Sequence, residues 1–138
     1  MAIQTRLISY QHGAVTLEGF LAWDDTISGP RPAVAICHTW AGRSEFEQRK
    51  AVKLAELGYV GFALDMYGQG VLGAGPEENS ALMAPFMQDR ALLQARIAQG
   101  VTALREQPEV DSARVAAMGY CFGGLCVLDL ARCGGDVV

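Results

Sequence analysis

Long hydrophobic runs, basic clusters and histidine are what this 138-residue sequence has least of. Its longest stretch without a charge, Val115 to Leu128, is 14 residues and holds three glycines, short of the roughly 18 apolar residues that suggest a membrane span. No membrane partner is expected. The 11 Lys and Arg are outnumbered by 15 Asp and Glu and form no patch. A net charge of -4 repels a polyanion, so nucleic acid is not expected as a partner either. With two His, and four Cys (Cys37, Cys121, Cys126, Cys133) that lack CxxC or Cys/His spacing, no metal centre and no cofactor are expected. The N-terminus carries one Arg and only a short semi-apolar patch, which is not the pattern of an export signal. Together with four cysteines read as reduced thiols, this predicts a cytoplasmic protein.

What is present is the material of one folded domain. Hydrophobic residues make up 51% and charged residues 19%, too apolar for a disordered chain. No internal repeat is visible, and the one linker-like stretch, Gly68 to Glu78, holds four glycines and Pro76. Around it, strand and helix signals alternate. Val15 to Trp23 alternates loosely and runs into a turn cluster, as an early strand does. Ala33 to Cys37 and Tyr59 to Leu64 are short continuous apolar runs, the pattern of strands buried on both faces. Between them Ser44 opens a helix with Glu47 three residues on as a capping box, and Gly58 closes it. Strand, helix and strand make a βαβ unit.

A longer helix is expected after the Gly-rich stretch, with Leu93, Ile97, Val101 and Leu104 at helical spacing up to Pro108. Arg114 to Gly119 reads as a third buried strand, and Phe122 to Arg132 as a helix closed by Gly134. The fold class is therefore α/β, a mostly parallel, doubly wound sheet flanked by helices in a single domain. Asp136, Val137 and Val138 read as the first residues of a further strand, so the fold is expected to be cut short after the last helix.

One motif carries chemistry. Gly119-Tyr120-Cys121-Phe122-Gly123-Gly124 lies where a strand meets a helix. It matches the nucleophile elbow G-x-S-x-G with Cys in place of Ser. A sharp elbow requires small residues two before and two after the nucleophile, and Gly119 and Gly123 satisfy that. A chance GxCxG in a chain of this composition is expected only about 0.05 times. The bland alternative is a small buried cysteine with glycines that let a helix pack closely. A helix N-terminus favours a thiolate by about 0.3–1 kcal/mol, less than a power of ten, so a nucleophilic thiol here also needs a base.

The elbow, together with Ala33-Val-Ala-Ile-Cys-His-Thr-Trp-Ala-Gly42, Leu54-Ala-Glu-Leu-Gly-Tyr59 and Ala63-Leu-Asp-Met-Tyr-Gly68, resembles the dienelactone hydrolases, cysteine-dependent members of the α/β-hydrolase fold. The resemblance spans residues 17 to 132. It implies that Cys121 attacks the carbonyl of a small ester or lactone and forms a thioester. It further implies that the backbone N–H groups of Phe122 and Trp40 form the oxyanion hole. Where some members carry a Glu that holds the resting thiol, this chain has Thr39. The family places its acid and its histidine, in that order, after the nucleophile and beyond residue 138.

Other residues compete for roles. His38 follows a strand near the elbow but is expected to bond backbone rather than act as base. His12 is expected in a solvated turn. His38, Thr39, Arg43, Asp65 and Tyr67 are candidate pocket residues, Arg43 for a substrate carboxylate and Asp65 at least equally as a turn cap. Gly68-Gln-Gly-Val-Leu-Gly73 spells the dinucleotide fingerprint. Yet Pro76, Glu77 and Glu78 stand where a helix start is needed, and two carboxylates oppose a pyrophosphate. The expected partner is thus a small ester or lactone. A non-catalytic, redox-responsive thiol module is the rival, and a homo-oligomer is left open as a way to complete the sheet.

Overall fold

The computed structural model describes residues Met1 to Val137. Five strands form one mixed sheet: β1 (Ile3–His12), β2 (Val15–Asp24), β3 (Arg31–Cys37), β4 (Val60–Ala63) and β5 (Val110–Gly119). They lie in the order β1-β2-β4-β3-β5. β3 pairs in parallel with β4 and β5, while β1, β2 and β4 pair antiparallel. The helices are α1 (Glu45–Glu56), α2 (Pro76–Gln88), α3 (Arg90–Arg105) and α4 (Phe122–Arg132). Among the described residues no helix is long and apolar enough to cross a membrane.

Alternation along the strands sends side chains to two faces. Ile36 and Ala22 meet Ala51 and Ala55 of α1 on one face. Ala33, Ala35, Cys37, Leu17, Leu21 and Phe62 meet α3 and α4 on the other, through Leu93, Ile97, Leu104, Cys126 and Leu130. The doubly wound expectation thus holds for the parallel part. α1 approaches the sheet closely because β4 carries a glycine there: a Cβ on Gly61 would lie 2.4 Å from the Ala51 carbonyl oxygen. The α1 capping box forms as read, with Glu47 Oε1 accepting from the Ser44 N–H at 2.8 Å, and Gly58 follows in the left-handed region at φ 93°. Leu57, just past the end of α1, is exposed.

Three expectations are corrected. Residues 3–12, not read as structured, form the edge strand β1, and His12 is its last residue rather than a turn residue. The half-buried His12 accepts a hydrogen bond at Nδ1 from Arg96 Nε at 2.7 Å, and burial, with the nearby Arg96 charge, lowers its pKa. The helix expected through Leu93, Ile97, Val101 and Leu104 is α3, and a further helix, α2, precedes it. Pro76, Glu77 and Glu78, taken as unfit to start a helix, are the first turn of α2. A proline at the first position loses no hydrogen bond, and acidic side chains complement the positive end of the helix dipole. Asp89 then caps α3 through Leu92 N–H at 3.1 Å and separates the two. Finally, Gly135 to Val137 form no strand, and Val138 lies outside the described residues.

Candidate active site

The carboxyl ends of β3, β4 and β5 share one rim, because parallel strands end on the same side. Three connections meet there: His38 to Ser44 after β3, Leu64 to Gly75 after β4, and Tyr120-Cys121 between β5 and α4.

Cys121 occupies the turn from β5 to α4 with φ 58° and ψ -114°, a combination outside the left-handed well that is strained for any residue with a Cβ. Its side chain is exposed, whereas Cys37 and Cys126 are buried. The turn closes through Gly123 N–H to Tyr120 O at 2.9 Å and Gly124 N–H to Cys121 O at 3.0 Å. The need for glycine on either side is steric. A Cβ on Gly119 would lie 2.1 Å from Gly123 O, and one on Gly123 would lie 2.0 Å from Cys37 O. Gly124, grouped with them as an elbow glycine, does not share the constraint: a Cβ there would find its nearest neighbour at 3.6 Å.

The Trp40 loop faces the start of α4. Thr39, half-buried, organises it: its Oγ1 accepts from Ala41 N–H at 3.3 Å and its carbonyl from Gly42 N–H at 3.2 Å. Among the described residues, neither the Trp40 N–H nor the Phe122 N–H donates to a protein acceptor. Tyr67 joins the two elements, its hydroxyl donating to Trp40 O at 2.7 Å and its ring stacking on Phe122 with centroids 6.0 Å apart.

His38 is fully buried beneath this rim. Met66 N–H donates to its Nε2 at 3.0 Å, so Nε2 is the acceptor. The proton therefore sits on Nδ1, which donates to Thr39 O at 2.6 Å. Burial lowers the pKa of His38, opposed by the bond to Thr39, and the ring stands as a neutral strut between the β3 and β4 loops. Both of its nitrogens are bonded to backbone, the role read from its position.

Burial removes three candidates from the pocket wall, leaving for Asp65 the turn-cap reading and for His38 the backbone-bonding one. Asp65 is fully buried. Its Oδ1 accepts from Tyr67 and Gly68 N–H, and its Oδ2 from Glu18 and Gly70 N–H, at 3.0 to 3.1 Å. It caps the turn after β4 and ties it to β2. Arg43 is 5% exposed and points back to the sheet, with Nε on Glu18 O at 2.7 Å and Nη2 on Glu18 Oε1 at 3.0 Å. His38 lies below the rim rather than on it. Tyr67, Trp40 and Thr39, each half-buried, remain at the rim.

Sequence reasoning missed Phe86 of α2, whose ring lies 5.9 Å from Tyr67 and 6.0 Å from Phe122; the periodic signal of α2 that would have placed it is interrupted by Pro85. It also missed Tyr10, whose hydroxyl donates to Asp65 O and accepts from Asp65 N–H, both at 3.2 Å. A depression of about 550 Å³ at the start of α2, lined by Ala74 to Glu78 and Ala81, does not include Cys121. It is edged by carboxylates and bears no nucleophile. Among the described residues no group of three His, Cys, Asp or Glu side chains is placed to hold a metal ion.

A mixed sheet with helices on both faces and a strained strand-to-helix elbow at its carboxyl rim defines an α/β-hydrolase fold. The dienelactone hydrolase family model matches residues 17–138, and the chain belongs to that family. Among solved structures, it superposes on a dienelactone hydrolase-like promiscuous phosphotriesterase, P91, from metagenomic libraries, with TM-score 0.95 and 37% identity over 100% of this chain and 57% of that one. A protein named m3DLH gives TM-score 0.96 and 36% identity over 99% of this chain and 57% of the other. The dienelactone hydrolase from Anabaena variabilis, at 24% identity and TM-score 0.68 over 93% of this chain and 56% of its own, shares the fold. The chain thus spans a little over half the length of these structures.

Proposed function

We propose that this chain supplies the nucleophile and oxyanion hole of a hydrolase for small carboxylic esters or lactones. The observation that carries the reading is the exposed thiol of Cys121 held at φ 58° and ψ -114° at the start of α4. In the proposed reaction the Cys121 thiolate adds to the substrate carbonyl. Negative charge develops on the carbonyl oxygen, facing the N–H groups of Trp40 and Phe122. Collapse breaks the carbonyl–oxygen bond and leaves a thioester; the departing oxygen takes up the proton that the thiol gave up, as a free alcohol from an ester or as the hydroxyl of the opened ring from a lactone. Water then adds to the thioester, the acid departs and the thiol is regenerated. Each oxyanion donor in such a site typically contributes about 2.7–4 kcal/mol to the transition state.

The two histidines in these residues are engaged elsewhere, His38 with backbone and His12 with Arg96. The proposal therefore assigns the general base and its acid partner to residues after 138, in the family's order. P91 is a promiscuous phosphotriesterase, which suggests phosphotriesters as a second substrate class, since a phosphoryl oxygen develops similar charge.

The test is release of p-nitrophenolate from p-nitrophenyl acetate, with an aryl phosphotriester assayed in parallel. In a Cys133→Ser background, since Cys133 is also exposed, one equivalent released from these 138 residues, and turnover from a chain continued through the acid and histidine, are expected. Cys121→Ala should remove both, and an unaffected Ala variant refutes the assignment.

A further inference from the structure

Tyr67 touches both halves of the proposed oxyanion hole, and nothing in the elbow motif calls for it. Its hydroxyl donates to Trp40 O at 2.7 Å, and its ring lies over Phe122 with the planes 17° apart. The ring is itself held from two further sides, by the edge of His38 at 4.8 Å and by Phe86 at 5.9 Å. Its backbone is fixed too, because the Tyr67 N–H donates to the buried Asp65 carboxylate at 3.0 Å. A side chain gripped on this many sides makes a stiff connection between whatever it touches.

We propose that Tyr67 is a positioning residue that sets the separation of the Trp40 and Phe122 N–H groups, by bonding the carbonyl of one and stacking on the ring of the other. The inference rests on the hydrolase reading above. The Trp40 carbonyl and N–H flank a single Cα, so anchoring the oxygen restricts the torsions that aim the N–H. On the other side the Phe122 ring, 3% exposed, turns with the first residue of α4. Elsewhere the Trp40 loop is held by Ala41 and Gly42 N–H on Thr39, by the His38 ring on Thr39 O, and by Gly73 N–H on Ala41 O at 3.0 Å, and none of these bonds reaches α4. Tyr67 does. Oxyanion donors act only when aimed within a few tenths of an ångström of the developing charge, so a loosened loop costs rate without removing either donor. Burial pushes the Tyr67 hydroxyl pKa well above its usual value. It therefore stays a donor in mildly alkaline solution.

The experiment compares two reactions of the same sulfur. It is run at pH 9, where an ordinary thiol is largely ionised without a base, and in a Cys133→Ser background because Cys133 is also exposed. Acylation by p-nitrophenyl acetate places charge on a carbonyl oxygen. Alkylation by iodoacetamide displaces iodide from a saturated carbon and is blind to the oxyanion donors. Tyr67→Phe keeps the ring and loses the hydroxyl. It should slow acylation about three- to tenfold, the loss of one hydrogen bond's worth of aim, and leave alkylation within twofold of wild type. Tyr67→Leu, lacking both contacts, should slow acylation further.

Equal acylation in Tyr67→Phe and wild type overturns the proposal. So does equal slowing of both reactions, which assigns Tyr67 to exposure of the thiol instead. Absence of phenolate release from the parent while Cys121 still alkylates overturns the hydrolase reading itself, and the present inference with it.

Discussion

Replacing Cys121 by glycine should make the protein more stable while removing the proposed nucleophile. The residue sits at φ 58° and ψ -114°, a conformation that costs a residue with a Cβ about 1–3 kcal/mol and that glycine adopts without penalty. Against that gain stands the greater freedom of glycine in the unfolded chain, about 0.4–1 kcal/mol. Little packing is lost, because the side chain is exposed. The balance is a stabilisation of about 0.5–2 kcal/mol. For 138 residues the unfolding entropy near the midpoint is about 0.3 kcal/mol per kelvin, so Tm should rise by roughly 2–7 °C. Cys121→Ala is the control, since it removes the sulfur and keeps the Cβ, and it should melt close to the parent. The measurement is scanning calorimetry of all three proteins under reducing conditions. If the glycine variant melts at or below the alanine variant, the elbow stores no strain and the account of why the sulfur is presented there fails.

The remaining predictions concern the supports of the elbow. Gly123→Ala drives a Cβ to 2.0 Å from the Cys37 carbonyl oxygen and 2.6 Å from that of His38, and should cost about 2–3 kcal/mol or more. Gly124→Ala, one residue on with open space and a better helix former, should be neutral or stabilise by up to about 1 kcal/mol. Thermal melts of the pair decide this, and equal destabilisation would refute the steric reading. Asp129 in α4 is hydrogen-bonded by Arg90 at 2.7 Å and by Arg132 at 2.8 Å, which holds its carboxyl at about 2 against an ordinary value of 3.8 while burial opposes. Its folded pKa lies below its unfolded one, so its contribution is complete above the ordinary value and is lost as pH falls from about 4 towards 2. Asp129→Asn should lower Tm at pH 7 and flatten the fall in Tm between pH 5 and 2.5, and parallel curves for the two proteins would contradict the assignment.

The elements nearest the site were those most legible in the sequence. β3 and β4 are unbroken apolar runs flanked by turn residues, α1 carries both caps, and the elbow announces itself by glycines whose necessity is steric and local. β1 was not legible because an edge strand with one half-covered face shows weak alternation; Leu7, the apolar residue at its middle, is exposed. α2 was obscured by Pro85 within it and by glycines just before it. The choices left open at the site have a different origin. Asp65, Arg43 and His38 are polar residues at strand ends, where both a pocket wall and a buried brace are chemically sensible. The choice depends on which N–H and carbonyl groups the folded chain leaves unpaired beside them. Asp65 alone answers to four N–H groups from β2 and the β4 loop, a convergence that exists only once the sheet has assembled.

The contact between Gly123 and the end of β3 also decides where this molecule can yield. With less than a side chain's width between them, the sulfur-bearing helix and β3 behave as one rigid anvil, and in the proposed reaction there is no play on that side to admit a bulky acyl group. Accommodation falls to the opposite bank, to α2, which reaches the rim through the tilted ring contacts of Phe86 with Tyr67 and Phe122. Differences in the girth of accepted molecules among variants should therefore trace to α2 and the aromatic residues it carries, and not to the hinge that bears the thiol.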